Sequence, residues 1–221
     1  MNLLLPLGKL CTTVALITLF TFPTLGFANP TSSTISLYHQ AAQGNTNAID
    51  VVYNRLTQHL KEHGPTPLTL IYLGSTETLQ GRNAWMPWTK LRYTEHGLAR
   101  MNKALDLLNQ QATPVTQQIQ INGLYESHLV KAVAGTTFTS VPDFFNHFER
   151  GYELYLDLLE DTAFQQSQFE ATAWVYLYAI QSALYINDKH QASQWLTYMK
   201  QQDPSHLFTQ KAIKAVAEAQ S

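Results

Sequence analysis

From residue 35 onward the apolar positions of the chain recur at helical spacing almost throughout. Ile49, Val52, Leu56 and Leu60 fall 3, 4 and 4 residues apart, one stripe of an amphipathic helix that Gly64-Pro65 stops. Leu68, Tyr72 and Thr76 continue at the same spacing, so Pro67 to Leu79 is expected to form a second helix. The loop between the two is short, which makes them antiparallel neighbours. After a break at Asn83 to Pro87, Leu91, Leu98, Met101, Leu105 and Leu108 mark a long helix ending at Gln110 to Pro114. Before these, Ile35, Tyr38 and Ala42 form a short apolar set closed by Gly44, and Asn29 to Thr34 reads as a flexible start.

The second half is less even. Gln117-Gln118-Ile119-Gln120-Ile121 alternates like a strand, but Leu124, His128 and Ala132 fit a helix, and the segment is assigned as helix. Gly135 to Thr139 reads as loop. Ser140-Val141-Pro142-Asp143 has the hydroxyl, early proline and acid of a helix start. Phe145, Phe148, Tyr152, Tyr155 and Leu159 follow as an aromatic stripe. Phe169, Ala173, Tyr176, Ile180 and Leu184 mark a helix apolar on most faces and therefore central. Asp188 is placed to cap the next helix, with Ala192, Trp195, Leu196 and Met199, and Asp203-Pro204 to open the last. The expected fold class is all-α, with about eight or nine helices in antiparallel hairpins and no sheet.

Hairpins of about 34 residues are the signature of tetratricopeptide-type units. The best register starts at Ala173, with Ala179 and Ala183 where a first helix needs small residues, Ala192 and Leu196 at the contacts of the second, and Pro204 ending the unit. The competing reading is an irregular helical bundle. Tyr72-Leu73-Gly74-Ser75, then Trp85-Met86-Pro87-Trp88-Thr89-Lys90, then Gly97 and Lys103-Ala104 resembles a group of uncharacterised bacterial tetratricopeptide-like (TPR-like) proteins. Ser140-Val141-Pro142-Asp143-Phe144-Phe145 is similar to a later segment of that group. The arginines it carries near residues 119 to 125 are replaced here by Gln and Asn. The resemblance implies a short array of stacked helical hairpins across residues 35–221, and it implies no reaction.

Residues 1–28 stand apart. Lys9 is their single charge, Leu10 to Leu25 is apolar, and Gly26-Phe27-Ala28 is a small-x-small site, the pattern of a cleaved secretory signal peptide. The apolar run is broken by Thr12, Thr13, Thr18, Thr21 and Pro23, too short for a good span. Cleavage after Ala28 would remove Cys11, the only cysteine, leaving a domain held by packing alone. Without Lys9, 13 basic and 16 acidic residues give a net charge of 13 − 16 = −3. No basic stripe is present, so nucleic acid and anionic membrane surfaces are not expected partners. The expected location is exported, periplasmic or secreted, with no stable membrane span once the leader is cut.

Candidate chemistry is sparse. His59-Leu60-Lys61-Glu62-His63 reads H-x-x-E-H, two histidines one turn apart with a glutamate, which with a third acidic ligand would make a metal hydrolase. Its placement at a polar helix end before Gly64-Pro65 makes a solvated terminus the simpler reading. Glu149, Glu153, Asp157, Glu160 and Asp161 read as the outer face of the aromatic helix rather than paired catalytic carboxylates. No phosphate-cradling glycine loop and no G-x-S-x-G motif is present, so no cofactor, metal or enzymatic activity is assigned. Trp85 and Trp88 flank Pro87, with Tyr72, Arg82, Lys90 and Arg92 near them in sequence. These six are the candidate partner- or ligand-binding residues; alternatively, the tryptophans wedge two hairpins together in the core. The leading expectation is an exported non-enzymatic interaction or scaffold protein with a protein or peptide partner in an envelope complex. A small-ligand-binding helical protein is the alternative, and a deep apolar pocket with converging polar groups would favour it.

Overall fold

The computed structural model describes residues 29–219, so the leader and its cleavage site lie outside the described residues. Within them the chain is all-α apart from one short hairpin. The helices are α1 (Ser32–Ala42), α2 (Thr46–His63), α3 (Pro67–Asn83), α4 (Pro87–Asn109), α5 (Glu126–Ser140), α6 (Phe148–Glu160), α7 (Thr162–Gln165), α8 (Phe169–Tyr185), α9 (Lys189–Gln202) and α10 (Leu207–Glu218). Consecutive helices pair as α1–α2, α3–α4, α5–α6 and α8–α9. One member of each pair also meets its counterpart in the next, so α1, α3, α5, α8 and α10 contact one another in that order.

Helix α3 is the most enclosed. From Pro67 to Leu79 every residue is buried, including Thr69, Ser75, Thr76, Glu77 and Thr78. The sequence masks this, because those polar side chains are paired inside. Thr76 Oγ1 donates to the Tyr72 carbonyl at 2.7 Å and Thr78 Oγ1 to the Ser75 carbonyl at 2.7 Å. Glu77, only 3% exposed, accepts from Arg100 Nε at 2.9 Å and Nη2 at 3.0 Å, a two-pronged clamp between α3 and α4.

The closest approach of those two helices is at Gly74 and Gly97. A Cβ on Gly74 would stand 2.6 Å from both the Gly97 carbonyl oxygen and Met101 Cγ. One on Gly97 would collide with the Gly74 carbonyl oxygen and come within 2.9 Å of Thr78 Cγ2. Only glycine at both positions lets the two backbones touch. In the C-terminal half α8 packs against α9, and Ala179 and Ala183 of the first and Ala192 of the second are fully buried.

Several elements differ from the sequence expectation. Gly135 to Thr139 is helix: Gly135, Thr137 and Phe138 are buried, and Thr136, Thr139 and Ser140 satisfy their hydroxyls on carbonyls one turn back within α5. Ser140 to Asp143 ends a helix instead of starting one: a 3-10 turn spans Asp143–Phe145, Asn146 takes a left-handed φ of 56°, and α6 begins at Phe148. The strand-like alternation is a real two-residue pairing, β1 (Gln120–Ile121) with β2 (Leu124–Tyr125). Asn122-Gly123 turns it with φ of 51° and 84°, the Asn-Gly hairpin signal. Helix α1 already starts at Ser32, with the Thr31 side chain accepting from Thr34 N, so the segment before residue 35 is less loose than expected. Asp188 caps α9 as expected, whereas α10 opens at Leu207 and not at Asp203-Pro204.

Two measurements check this packing. Gly97→Ala gains helix propensity yet forces α3 and α4 apart, for a net loss of about 1–3 kcal/mol by urea unfolding. A neutral or stabilising result would show that the helices do not touch there. Burial lowers the pKa of His128, which Asp161 raises and Lys131 lowers to lesser extents, and burial also lowers that of His39. Both histidines therefore favour the neutral form when folded. Their contribution is complete above the ordinary pKa of about 6.5 and is lost as pH falls below it and through the folded values. Tm should fall between about pH 7.5 and pH 5, and less steeply in His128→Gln. An equal slope in that variant would remove His128 from the explanation.

Candidate functional site

A cleft of about 720 Å³ opens between α1, α3, α4, α5 and α8. Its lining follows from helical periodicity. Ser75, Thr78, Leu79 and Arg82 come from one face of α3 at spacings of 3, 1 and 3. Pro87, Lys90, Leu91 and Thr94 repeat that spacing at the start of α4, and Tyr38 and Ala42 lie one turn apart on α1. Thr136, Thr137 and Ser140 close the floor from α5. Val141, Pro142, Phe144 and Phe145 form the wall beyond it, and Tyr178 enters from α8.

The floor carries two sets of paired hydroxyls. Tyr38 Oη and Ser75 Oγ are 2.7 Å apart, Ser75 Oγ and Thr137 Oγ1 2.9 Å, and Tyr155 Oη donates to Thr136 Oγ1 at 2.9 Å. Burial pushes the Tyr38 hydroxyl up to about 12. The hydrogen bond with Ser75 acts against that rise, Tyr178 adds to it, and the Arg82 charge acts against it. Burial likewise raises Tyr155, against its hydrogen bonds with Thr136 and Thr139 and with a further push from Tyr178. These phenols stay protonated and act as neutral hydrogen-bonding groups.

The walls are apolar. Phe144 and Phe145 have ring centroids 4.2 Å apart, and Phe144 is 68% exposed. Arg82 and Lys90 are the cleft's charges. Asp, Glu, His and Cys are all missing from its lining.

The six residues singled out in the sequence do not form one site. Tyr72 is fully buried, edge-on to Tyr38 with centroids 4.8 Å apart, and lies in the core beneath the cleft's Tyr38. Arg82 and Lys90 line the cleft. Trp85 lines a separate, shallower groove of about 370 Å³ with Met86, Thr89 and Tyr93. Trp88 and Arg92 line neither, and the Arg92 guanidinium lies 5.6 Å from the centre of the Tyr93 ring. The reason is angular: each helical residue turns about 100°, so neighbours in sequence along the first turns of α4 diverge to different faces. The core-wedge reading of the tryptophans fails, since Trp85 is 84% and Trp88 66% exposed.

The residues that sequence reasoning missed are Tyr38, Ser75, Thr94, Thr136, Thr137, Phe144 and Tyr178. Reading α5 through to Ser140 would have placed Thr136 and Thr137 on a helix face. The contribution of Tyr178 comes from tertiary packing alone.

His59 and His63 do lie one turn apart, their rings tilted to each other with centroids 4.6 Å apart. Glu62 accepts from Gln58 Nε2 at 2.8 Å and lies 3.9 Å from its neighbour His63. Among the described residues no group of three or more His, Cys, Asp or Glu is placed to hold a metal ion, so the third ligand this centre requires is not there. The acids Glu149, Glu153, Asp157 and Glu160 lie exposed on α6, while Asp161 caps α7 through Phe164 N.

No protein-family model, curated protein or solved structure matches the chain.

The exposure of the tryptophans is directly measurable. Trp85→Phe/Trp88→Phe should remove most of the acrylamide-quenchable fluorescence and leave the signals of half-buried Trp174 and of Trp195, which is 7% exposed. Stability should change by no more than about 0.5 kcal/mol. A large loss of stability would return these residues to a packing role.

Proposed function

We propose that this protein is a non-enzymatic, exported binding protein of tetratricopeptide type, and that its cleft holds a small, largely apolar ligand. The observation that carries this is the cleft itself. Its volume lies in the range of about 300–1,000 Å³ typical of small-molecule sites, with apolar walls and a few converging polar groups. The packing order supports the repeat reading, since one helix from each hairpin contributes to a continuous inner layer. Four of those inner helices, α1, α3, α5 and α8, line the cleft, the position in which stacked hairpins present their binding face. Binding rather than turnover is supported by the lining. Its hydroxyls have no histidine or carboxylate among the lining residues to activate them as nucleophiles.

The test uses the mature chain from Asn29 and the neutral probe N-phenyl-1-naphthylamine. Saturable one-site fluorescence enhancement is expected. It should be abolished by Ser140→Trp, which fills the mouth from an exposed position. Phe144→Ala should weaken it about 5–30-fold, equivalent to a loss of about 1–2 kcal/mol of apolar contact. Binding that fails to saturate, or that survives Ser140→Trp, would overturn the cleft as the site.

A second reading is the exported interaction or scaffold protein with a protein or peptide partner in the cell envelope. The observation favouring it is the pair of exposed tryptophans, since Trp is enriched in the cores of protein interfaces. A photo-crosslinking amino acid at position 88 should then give a discrete adduct in intact cells, and one at exposed position 153 should not. Identical patterns at both positions would count against it. Export predicts that the N terminus of the protein recovered from cells is Asn29; a retained Met1 would contradict cleavage of the leader.

A further inference from the structure

We infer that the molecule held in the cleft is an anion with an apolar stem: a single-chain amphiphile with an acidic head, such as a medium-chain carboxylic acid. This rests on the proposed binding role of the cleft and adds the charge of its ligand. Arg82 from the last turn of α3 and Lys90 from the first turn of α4 enter the same mouth. Neither makes a hydrogen bond or an ion pair among the described residues. Two of the other arginines, by contrast, are engaged: Arg100 is clamped by Glu77, and Arg150 Nη1 donates to Asn102 Oδ1 at 2.6 Å.

Local structure accounts for only one of the two cations. Arg82 sits at a helix C-terminus, where positive charge is favourable, whereas Lys90 sits near a helix N-terminus, where it is not. No side chain caps that end of α4, and Pro87, its first residue, lines the same cleft. The positive end of the helix therefore adds to the two side chains.

The lining itself does not offset this charge. The lining holds no carboxylate, and residues 78–94, which carry Arg82, Lys90 and Arg92, contain no Asp or Glu. The nearest acid in sequence to the far wall is Asp143, in the turn between the lining residues Pro142 and Phe144; it is not itself a lining residue, and its charged carboxylate is held by Tyr185 Oη. In a chain whose net charge is −2, this is a local reversal of sign. The net charge and the lack of a basic stripe, on which nucleic acid and anionic membrane surfaces are not expected as partners, do not register a pair of cations this local.

The rest of the cleft fits the stem. Tyr38, Ser75 and Thr137 are paired with one another, and Leu79, Leu91, Val141, Pro142, Phe144 and Phe145 offer apolar surface. A head at Arg82 and Lys90 with a stem along the phenylalanines satisfies both ends.

The test is displacement of N-phenyl-1-naphthylamine by three competitors with the same chain: dodecanoate, dodecanol and dodecyltrimethylammonium, each below its micelle concentration at about pH 8, where the carboxylate is ionised. Dodecanoate should displace the probe at least about 10-fold more tightly than the ammonium, a gap of one charge-assisted contact. Arg82→Gln/Lys90→Gln should close that gap and leave dodecanol unchanged. Both residues are exposed, and circular dichroism and urea unfolding confirm that the variant is folded. Raising salt should shrink the dodecanoate preference without weakening dodecanol.

Equal displacement by all three, or a preference that persists in the double variant, would overturn the anion inference and leave the cleft as an apolar site. A probe that never saturates would overturn the cleft reading itself, before any competitor is added.

Discussion

Helices α3 and α4 meet backbone to backbone at Gly74 and Gly97, and most of the structure follows from how close they come. At that separation Glu77 can be buried, because Arg100 of the facing helix reaches both of its carboxylate oxygens. A carboxylate so deeply enclosed would otherwise be strongly destabilising. Farther along the pair, a Cβ on Gly81 would come within 2.5 Å of Thr94 Oγ1, so the contact extends to the point where the chain turns through Ala84 and Met86. That turn sets the faces of α3 and α4 that carry Arg82 and Lys90 side by side. A wider crossing would need side chains at the seam and would separate the two cations.

The cleft above this seam combines a rigid polar floor with an exposed apolar wall. Hydrogen bonds among Tyr38, Ser75 and Thr137 join α1, α3 and α5, and the bond between Tyr155 and Thr136 joins α6 to α5. A satisfied buried network of this kind fixes relative positions and offers a visitor little to exchange for its own hydration. The opposite wall leaves Phe144 largely in water, a cost that a covering ligand would remove. We propose that this asymmetry makes the cleft a site for holding a molecule and not for transforming it.

Much of the fold was legible in the residue pattern. The stripes of α2 and α4, the Gly64-Pro65 stop, the Asp188 cap and the buried small residues of α8 and α9 all rest on local rules of spacing and capping. Those rules failed where hydroxyl residues return bonds to their own helix, as in α5 after Gly135, and where an Asn-Gly turn made a hairpin too short to register as sheet. On α3 they gave the helix from Leu68, Tyr72 and Thr76 but not its full enclosure, in which the threonines and Glu77 find partners inside. The site was only partly legible for a related reason. Arg82, Trp85, Trp88, Lys90 and Arg92 are close in sequence, yet only Arg82 and Lys90 reach the cleft. Tyr38, Ser75, Thr137 and Tyr178 are far apart in sequence and converge only because α1, α3, α5 and α8 pack in one layer.

A crystal structure of the mature chain grown with dodecanoate would probe seam, cleft and ligand class together. The expected result is an acyl chain lying between Leu79 and Phe145, its carboxylate within hydrogen-bonding distance of Arg82 and Lys90, over helices α3 and α4 in contact at Gly74 and Gly97. An acid bound elsewhere, with the cleft empty or filled by the protein's own side chains, would contradict this reading of the molecule.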